Sequence, residues 1–511
     1  MGLVHRRGLT PLADAQASGP STGPEAALTT DQQAAAAAFA EWLAAPVDGT
    51  PFVLSGYAGT GKTFLSMRFL AQVEATGLCW TVVAPTHKAV GVLRSHLAMA
   101  GLSPTWFPST IHRLLRLKLK RQRDLERCEE TEQTAMALEH LGLVLIDEAS
   151  MVDSTLLEIS LRCAHPFRTR LVFVGDPAQL PPVGEPESPV FSLGRACRAD
   201  LRQVVRHQGP VLRLASGLRQ GALPCRRPPA LPPIRTAVGQ VALLERSAWL
   251  EAAQAALRRS AETDNPDLAR ILCYTNRSLE QLVPIARRAL HGEMADQLPV
   301  LPGEVLITRA AVMAPACREG EDAAEEPDMV LGTNRELVVR DVTPERCDLA
   351  DFGVATADLG GDLSPPVIET LMAKVEAGDS QLSLRLLPPL GTAARSALEA
   401  VLARLRQRAR DAGKQDGKGL WRRFFLVRDA FASLGPAAVL TVHRSQGSTF
   451  AEVFVDGDVF WPSDLVLRRQ LVYVAVSRAS QAVTLQAGAP GAAASALADQ
   501  QLWSDWLQAD G

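Results

Sequence analysis

Aromatic residues are scarce in this sequence, neither sign of charge is in excess, and no cysteines are paired by spacing. Aromatics make up 5% of the 511 residues and tyrosine occurs only 3 times, so a surface that stacks on flat ligands must use few rings. Lys and Arg number 53 against 56 Asp and Glu, a formal net charge of -3. A polyanion-binding surface therefore has to come from local basic clusters. The eight cysteines, at 79, 128, 163, 197, 225, 273, 317 and 347, form no C-x-x-C pair. That spacing argues against a zinc site or a disulfide framework and fits free thiols in a reducing cytoplasm. No run of ~18 apolar residues occurs, and the opening MGLVHRRGLTPLADAQ lacks the apolar stretch of a secretory signal. The expectation is a cytoplasmic chain with no membrane partner.

What is present is the composition of a globular protein, 47% hydrophobic and 21% charged, with a length that calls for about two to four domains. Residues 1–27, rich in Ala, Gly, Pro and Ser, read as a flexible leader. Short Val/Leu/Ile runs then alternate with helical stretches: Phe52–Leu54, Thr81–Ala84, Leu143–Ile146 and Leu171–Val174. This is the pattern of buried parallel strands, and it predicts an α/β domain over 28–200 with ligands at the strand C-termini. A second series, Ile271–Tyr274, Val439–Val442, Val453–Val455, Leu471–Val476 and Val483–Leu485, predicts a second α/β domain from 201–299 and 435–490. It is interrupted over 300–434, where valine-rich strand candidates between glycine turns suggest a small β insertion. A basic helical segment follows over 393–432, expected to be an amphipathic helix and then a mobile loop around Gly413 and Gly417. The acidic stretch 318–328 reads as a solvated loop. Residues 491–511 form a tail in which Trp503 and Trp506 read as packing residues.

Gly56-Tyr57-Ala58-Gly59-Thr60-Gly61-Lys62-Thr63 fits G-x-x-x-x-G-K-[ST] between a strand and a helix. Gly56, Gly59, Thr60 and Gly61 would let backbone amides curl round phosphates. Lys62 would reach the β/γ-phosphates of ATP, and the Thr63 hydroxyl would ligate Mg²⁺. Asp147 and Glu148, delivered by the strand LVLI, are assigned to the metal and to the attacking water respectively. Gln179, in the turn after LVFV, is placed to sense the γ-phosphate.

These segments together resemble the superfamily 1 helicases of the RecD-like and phage Dda-like group, in family order and from residue 28 onward. The matching stretches are LTTDQQAA (28–35), APTHKAV (84–90), STIHRLL (109–115), DEASMVD (147–153), GDPAQLPPVG (175–184), LRQVVRHQ (201–208), LTVHRSQGSTF (440–450) and LVYVAVSRAS (471–480). The resemblance implies two RecA-like motor domains, a short hairpin insertion in the first (113–140) and a small β-barrel insertion in the second. It assigns Gln32 to the adenine, Gly447 to the nucleotide, and Arg206 and Arg478 to the phosphates, Arg478 as an arginine finger. Thr86, His87, Lys88, Thr110, His112, Thr441 and His443 fall at strand-end loops that would hold a strand's phosphates without reading sequence. Trp106, Phe107, Tyr274 and Trp461 are candidates for stacking on bases.

Only 84 positions separate Thr63 from Asp147, so the large helical insertion of UvrD- and Rep-type helicases is absent. The implied activity is an ATP-dependent DNA helicase, monomeric and of 5′ to 3′ polarity, acting on single-stranded DNA and duplex junctions. A single-strand-binding protein and recombination subunits are candidate partners. The competing readings are a motor subunit of an exonuclease V-type complex, an ATP-dependent switch that does not translocate, and an RNA motor. Arg113, Arg116, Lys118, Lys120, Arg121 and Arg123 fit either a duplex-splitting pin or a solvated hairpin. Eight basic residues within 404–423 fit a DNA guide or a solvated face.

Overall fold

The computed structural model describes residues 28–122, 125–205, 209–314, 329–361, 364–378, 380–488 and 494–508. The expected leader, the whole of the acidic stretch 318–328, Arg123 and Arg206 lie outside them. Among the described residues no helix is long and apolar enough to cross a membrane.

The first unit opens with α1 (Thr30–Ala44), set by a capping box in which Thr29 and Gln32 exchange side-chain and backbone hydrogen bonds. There follow β1 (Phe52–Gly56), α2 (Lys62–Ala75), β2 (Trp80–Ala84), α3 (His87–Ala100), β3 (Ser109–Thr110) and α4 (Ile111–Leu114). A two-stranded antiparallel hairpin, β4 (Lys118–Gln122) and β5 (Leu125–Glu129), precedes β6 (Leu143–Ile146), α5 (Ser154–Phe167), β7 (Arg170–Gly175) and β8 (Cys197–Leu201). Apart from the hairpin, the strands form one sheet in the order β3-β2-β6-β7-β1-β8, parallel throughout. β1 and β6 are apolar because they lie inside it: Phe52, Val53 and Leu54 are at most 1% exposed.

A second six-stranded sheet begins after α6 (Pro210–Gln220), with β9 (Leu231–Thr236), β10 (Gly239–Leu244), α7 (Arg246–Glu262), β11 (Ala269–Cys273), α8 (Asn276–His291) and α9 (Met294–Gln297). The chain then leaves it for an antiparallel sheet. Its segments are β12 (Val305–Thr308), β13 (Val312–Met313), β14 (Met329–Leu331), β15 (Glu336–Asp348), β16 (Val367–Ala377), β17 (Ser380–Arg385), α10 (Ala393–Asp411), α11 (Gly413–Asp429) and β18 (Leu434–Pro436). Five of these strands run β17-β16-β15-β12-β18. The two edges approach one another through Ala432, whose N–H donates to Arg385 O (2.7 Å) and whose carbonyl accepts from Leu387 N (3.0 Å). The second sheet is completed by β19 (Val439–Thr441), β20 (Phe450–Val455), α12 (Leu465–Ser477) and β21 (Ala479–Gln486), in the order β19-β11-β20-β21-β10-β9. Only the β9–β10 pairing in it is antiparallel. α13 (Ala494–Gln508) packs on α6, burying Trp503 and donating Trp506 Nε1 to Arg213 O at 3.0 Å.

Two expectations are corrected. Leu471–Val476 is not a strand but the core of α12, started by Asp464, whose side chain accepts from the amides of Val466 and Leu467. A run of six apolar residues carries no period, so helix and strand read alike from sequence; here all six are buried because the C-terminal half of α12 is enclosed on every side. The segment from Gly413 is likewise not a loop but α11. It returns so tightly along α10 that a Cβ at Gly417 would lie 2.5 Å from Ala409 O.

Candidate nucleotide site and nucleic-acid track

β1 delivers its end, Gly56, to the edge of the first sheet. A side chain there would meet Thr60 Oγ1 at 2.7 Å and Leu201 Cβ at 2.9 Å, so the loop closes only with glycine. Gly59 (φ +81°) and Gly61 (φ +84°) take left-handed conformations that strain any residue with a Cβ. Gly61 is also the N-cap of α2 and offers no side-chain acceptor. The first amides of the helix are therefore left for an anionic ligand, where the helix dipole favours it. Lys62 Nζ donates to Gly56 O (2.7 Å) and Tyr57 O (3.1 Å), and Thr60 Oγ1 donates to Tyr57 O (2.8 Å).

Asp147 extends the β2–β6 pairing by donating its N–H to Val83 O (2.9 Å). Glu148 follows with φ +52°, a left-handed conformation uncommon outside glycine, and its N–H donates to Asp147 Oδ1 (2.9 Å). Burial, then the charge of Glu148, push the Asp147 carboxyl up to about 7, against the pull of the Glu148 amide and the Lys62 ammonium. Two acidic groups so placed favour a cation between them and the phosphates. Among the described residues no three His, Cys, Asp or Glu side chains are grouped to hold an ion by themselves. Asp147 with Glu148 beside it is a donor set that fits Mg²⁺, which takes one or two protein carboxylates and completes its shell with phosphate and water.

The turn after β7 carries Gln179, which is buried and whose Oε1 has no hydrogen-bond partner among the described residues. The turn is held from the second unit at two points. The Tyr473 hydroxyl donates to Asp176 Oδ2 (2.6 Å), and Gln446 Nε2 donates to Leu180 O (3.1 Å). The same Tyr473 oxygen accepts the N–H of Ala58 in the phosphate loop (2.9 Å). Beside it the Arg219 guanidinium lies 3.6 Å from the centre of the Tyr57 ring. The sequence patterns missed Tyr473, Gln446 and Arg219. A signal was available: the chain has three tyrosines, and two of them, Tyr57 and Tyr473, lie inside motifs.

Other assigned residues stand differently. Gln32 braces the loop: its Nε2 donates to Thr60 O (3.1 Å) and its Oε1 accepts from Thr29 N (3.2 Å). Arg478 is buried within its own unit, donating to Val474 O, Ser448 O and Ser477 Oγ. Gly447 lies not at the phosphate loop but against α3. A Cβ there would sit 3.1 Å from Ala89 Cβ and 3.2 Å from Thr86 Oγ1.

Of the residues assigned to the track, Thr86 and Thr110 are N-caps, accepting from Ala89 N and Arg113 N. Thr441 is buried at the end of β19. Burial lowers the pKa of His87, His112 and His443; at His87 Arg335, Arg113 and Arg94 add to the effect, and at His112 Asp153 opposes it. Lys88 is drawn into a junction of all three sheets. Its ammonium lies 3.0 Å from Glu336, 3.4 Å from Asp267 and 4.7 Å from the centre of the Phe450 ring, with Arg270 alongside. Phe107 is 75% exposed with the Arg94 guanidinium 4.2 Å from its centre, and Trp461 is 60% exposed. Trp106 is half-buried, and Tyr274 stands 6.2 Å from the His443 ring.

An AAA domain model matches residues 27–226, and a UvrD-like helicase C-terminal domain model matches residues 436–486. The chain is 23% identical to the ATP-dependent DNA helicase dda of Enterobacteria phage T4 over 433 residues, 83% of this chain and 92% of that protein. It is 32% identical to the ATP-dependent RecD2 DNA helicase of Deinococcus radiodurans over 177 residues, 34% of this chain and 22% of that one. A solved Pif1 helicase from Bacteroides in complex with ADP-AlF3 and ssDNA superposes over 90% of this chain and 92% of its own, with 15% identity and a TM-score of 0.43.

Proposed function

We propose that this chain, which belongs to the superfamily 1 helicases of the RecD-like and phage Dda-like group, hydrolyses ATP in the cleft between its two parallel-sheet units and so moves along single-stranded DNA. It is an ATP-dependent DNA helicase. The observation that carries the motor reading is the position of the phosphate loop and of the Gln179 turn beside it: both lie at the edge of the first sheet, and the second unit touches the loop through Tyr473 and the turn through Tyr473 and Gln446. A site so shared changes when the units move, which is what couples hydrolysis to motion.

In this reading the two units are RecA-like motor domains. Lys62 and the first amides of α2 hold the phosphates, Glu148 orients the attacking water, and Gln179 meets the γ-phosphate. Mg²⁺ held by Thr63 and Asp147 would neutralise phosphate charge. Arg206 and Arg478 complete the site on closure, Arg478 leaving its bond to Ser448 O. Thr86, His87, Lys88, Thr110, His112, Thr441 and His443 line the strand track, and β4–β5 serves as the separating pin. Polarity is 5′ to 3′, following the family.

The test is ATP turnover with and without saturating single-stranded oligonucleotide, followed by unwinding of 5′-tailed, 3′-tailed and blunt duplexes. Strong stimulation that weakens as salt rises, and unwinding of the 5′-tailed substrate alone, are expected. Turnover indifferent to oligonucleotide would overturn the motor reading, and unwinding from a 3′ tail would overturn the polarity.

A further inference from the structure

Tyr473 is the only hydroxyl-bearing residue in the buried run Leu471–Val476. Its ring lies in the core of the second unit, and its oxygen emerges against the first. That oxygen uses both of its capacities: it accepts the Ala58 N–H of the phosphate loop at 2.9 Å and donates to Asp176 Oδ2 at 2.6 Å. Asp176 is wholly buried, and its other oxygen accepts the N–H of Ala178 at 2.9 Å, while its backbone carbonyl accepts from Gln179 N at 3.1 Å. One phenol thus joins the phosphate loop to the turn that presents Gln179, and Gln446 holds the far end of that turn at Leu180 O.

We infer that Tyr473 is a positioning residue of the ATPase cycle, the hydroxyl through which the second unit sets the phosphate loop and the Gln179 turn in register with each other. The inference rests on the cleft being the ATPase site proposed above. It follows from the chemistry of the contact. A hydrogen bond to an enclosed carboxylate is strong and directional, and loss of the phenol oxygen with the units in contact leaves both of its partners short of a hydrogen bond. Burial and Asp176 raise the phenol's pKa, which keeps the donating proton on it. The rigid ring carries any displacement of α12 directly to both loops.

The experiment compares oligonucleotide-stimulated turnover of the full chain with that of Tyr473→Phe, which removes only the oxygen. Wild-type turnover is the control for the parent reading: if it does not respond to oligonucleotide, the motor assignment fails and not this one. With an active wild type, Y473F is expected to lose about tenfold in kcat while KM for ATP and nucleotide-free oligonucleotide affinity stay within about threefold. Asp176→Asn should absorb most of that loss, so that adding Y473F to it costs little more. Val472→Ala, a buried neighbour on the same helix, reports the effect of loosened packing. Unchanged kcat in folded Y473F overturns the proposal. So does an equal kcat loss in V472A, or full additivity of Y473F with D176N.

Discussion

Lys62 donates its ammonium to two carbonyls of its own loop, and the proposed function puts the β/γ-phosphates beside it. Lys62→Ala is expected to lower stimulated turnover by about 10²–10³-fold while sparing oligonucleotide binding. Steady-state ATPase and a binding titration check it, and retained turnover would remove Lys62 from the site. The histidines predict a pH response. Burial holds His87, His112 and His443 below the ordinary 6.5, so below that pH the unfolded chain takes up protons first. Their contribution to stability is whole above about pH 6.5 and is lost as pH falls through 6.5 toward the folded values. Asp147, raised to about 7, works in the opposite sense, its burial costing more as pH rises between 3.8 and 7. The measurement is therefore a comparison of melting temperatures: between about pH 7.5 and 5.5, His443→Asn should lose less than the parent chain. Equal slopes would show that His443 does not titrate differently on folding.

At the scale of elements, helix α12 and the α10–α11 pair carry the lesson. The C-terminal half of α12 is enclosed all round and carries Tyr473, with Arg478 as the C-cap of the same helix, so the two move with it. The α10–α11 crossing depends on Gly417, where an added Cβ meets a backbone carbonyl that cannot turn away. Gly417→Val is expected to destabilise the helical pair by about 1–3 kcal/mol through overpacking. The phosphate loop lies elsewhere in the fold, so basal turnover should persist. Thermal denaturation and protease digestion, with ATPase as control, read the outcome, and an unchanged melt would mean that the crossing has room.

For the whole molecule, the junction of Lys88, Glu336, Asp267 and Arg270 joins the first sheet, the second sheet and the antiparallel sheet. Lys88 was assigned from its motif to a strand's phosphates, and here Glu336 occupies its ammonium. On the proposed track an entering phosphate would compete with that carboxylate. Glu336→Gln is therefore expected to tighten single-stranded DNA binding and to steepen its dependence on salt by up to about 0.7 in the log–log slope. Fluorescence titrations over a range of salt decide it. A slope equal to that of the parent would leave Lys88 as a strut between units and take it off the track.

Legible in the residues alone were the local pieces: the phosphate loop between strand and helix, the acidic pair after LVLI, the turn at Gln179, and the parallel-strand character of the first series and of four of the five runs in the second. Each of these depends on residues within about one turn or strand of each other, where glycine freedom, capping and burial act at short range. Long-range packing settled that Leu471–Val476 is helix, that Gly447 faces α3, that Gln32 of α1 braces the phosphate loop and that Lys88 is paired. Each of those outcomes turns on partners distant along the chain. Tyr473 lies 415 residues from Ala58 and 297 from Asp176. No spacing rule reaches that far, because folding chose which buried hydroxyl would satisfy which buried amide.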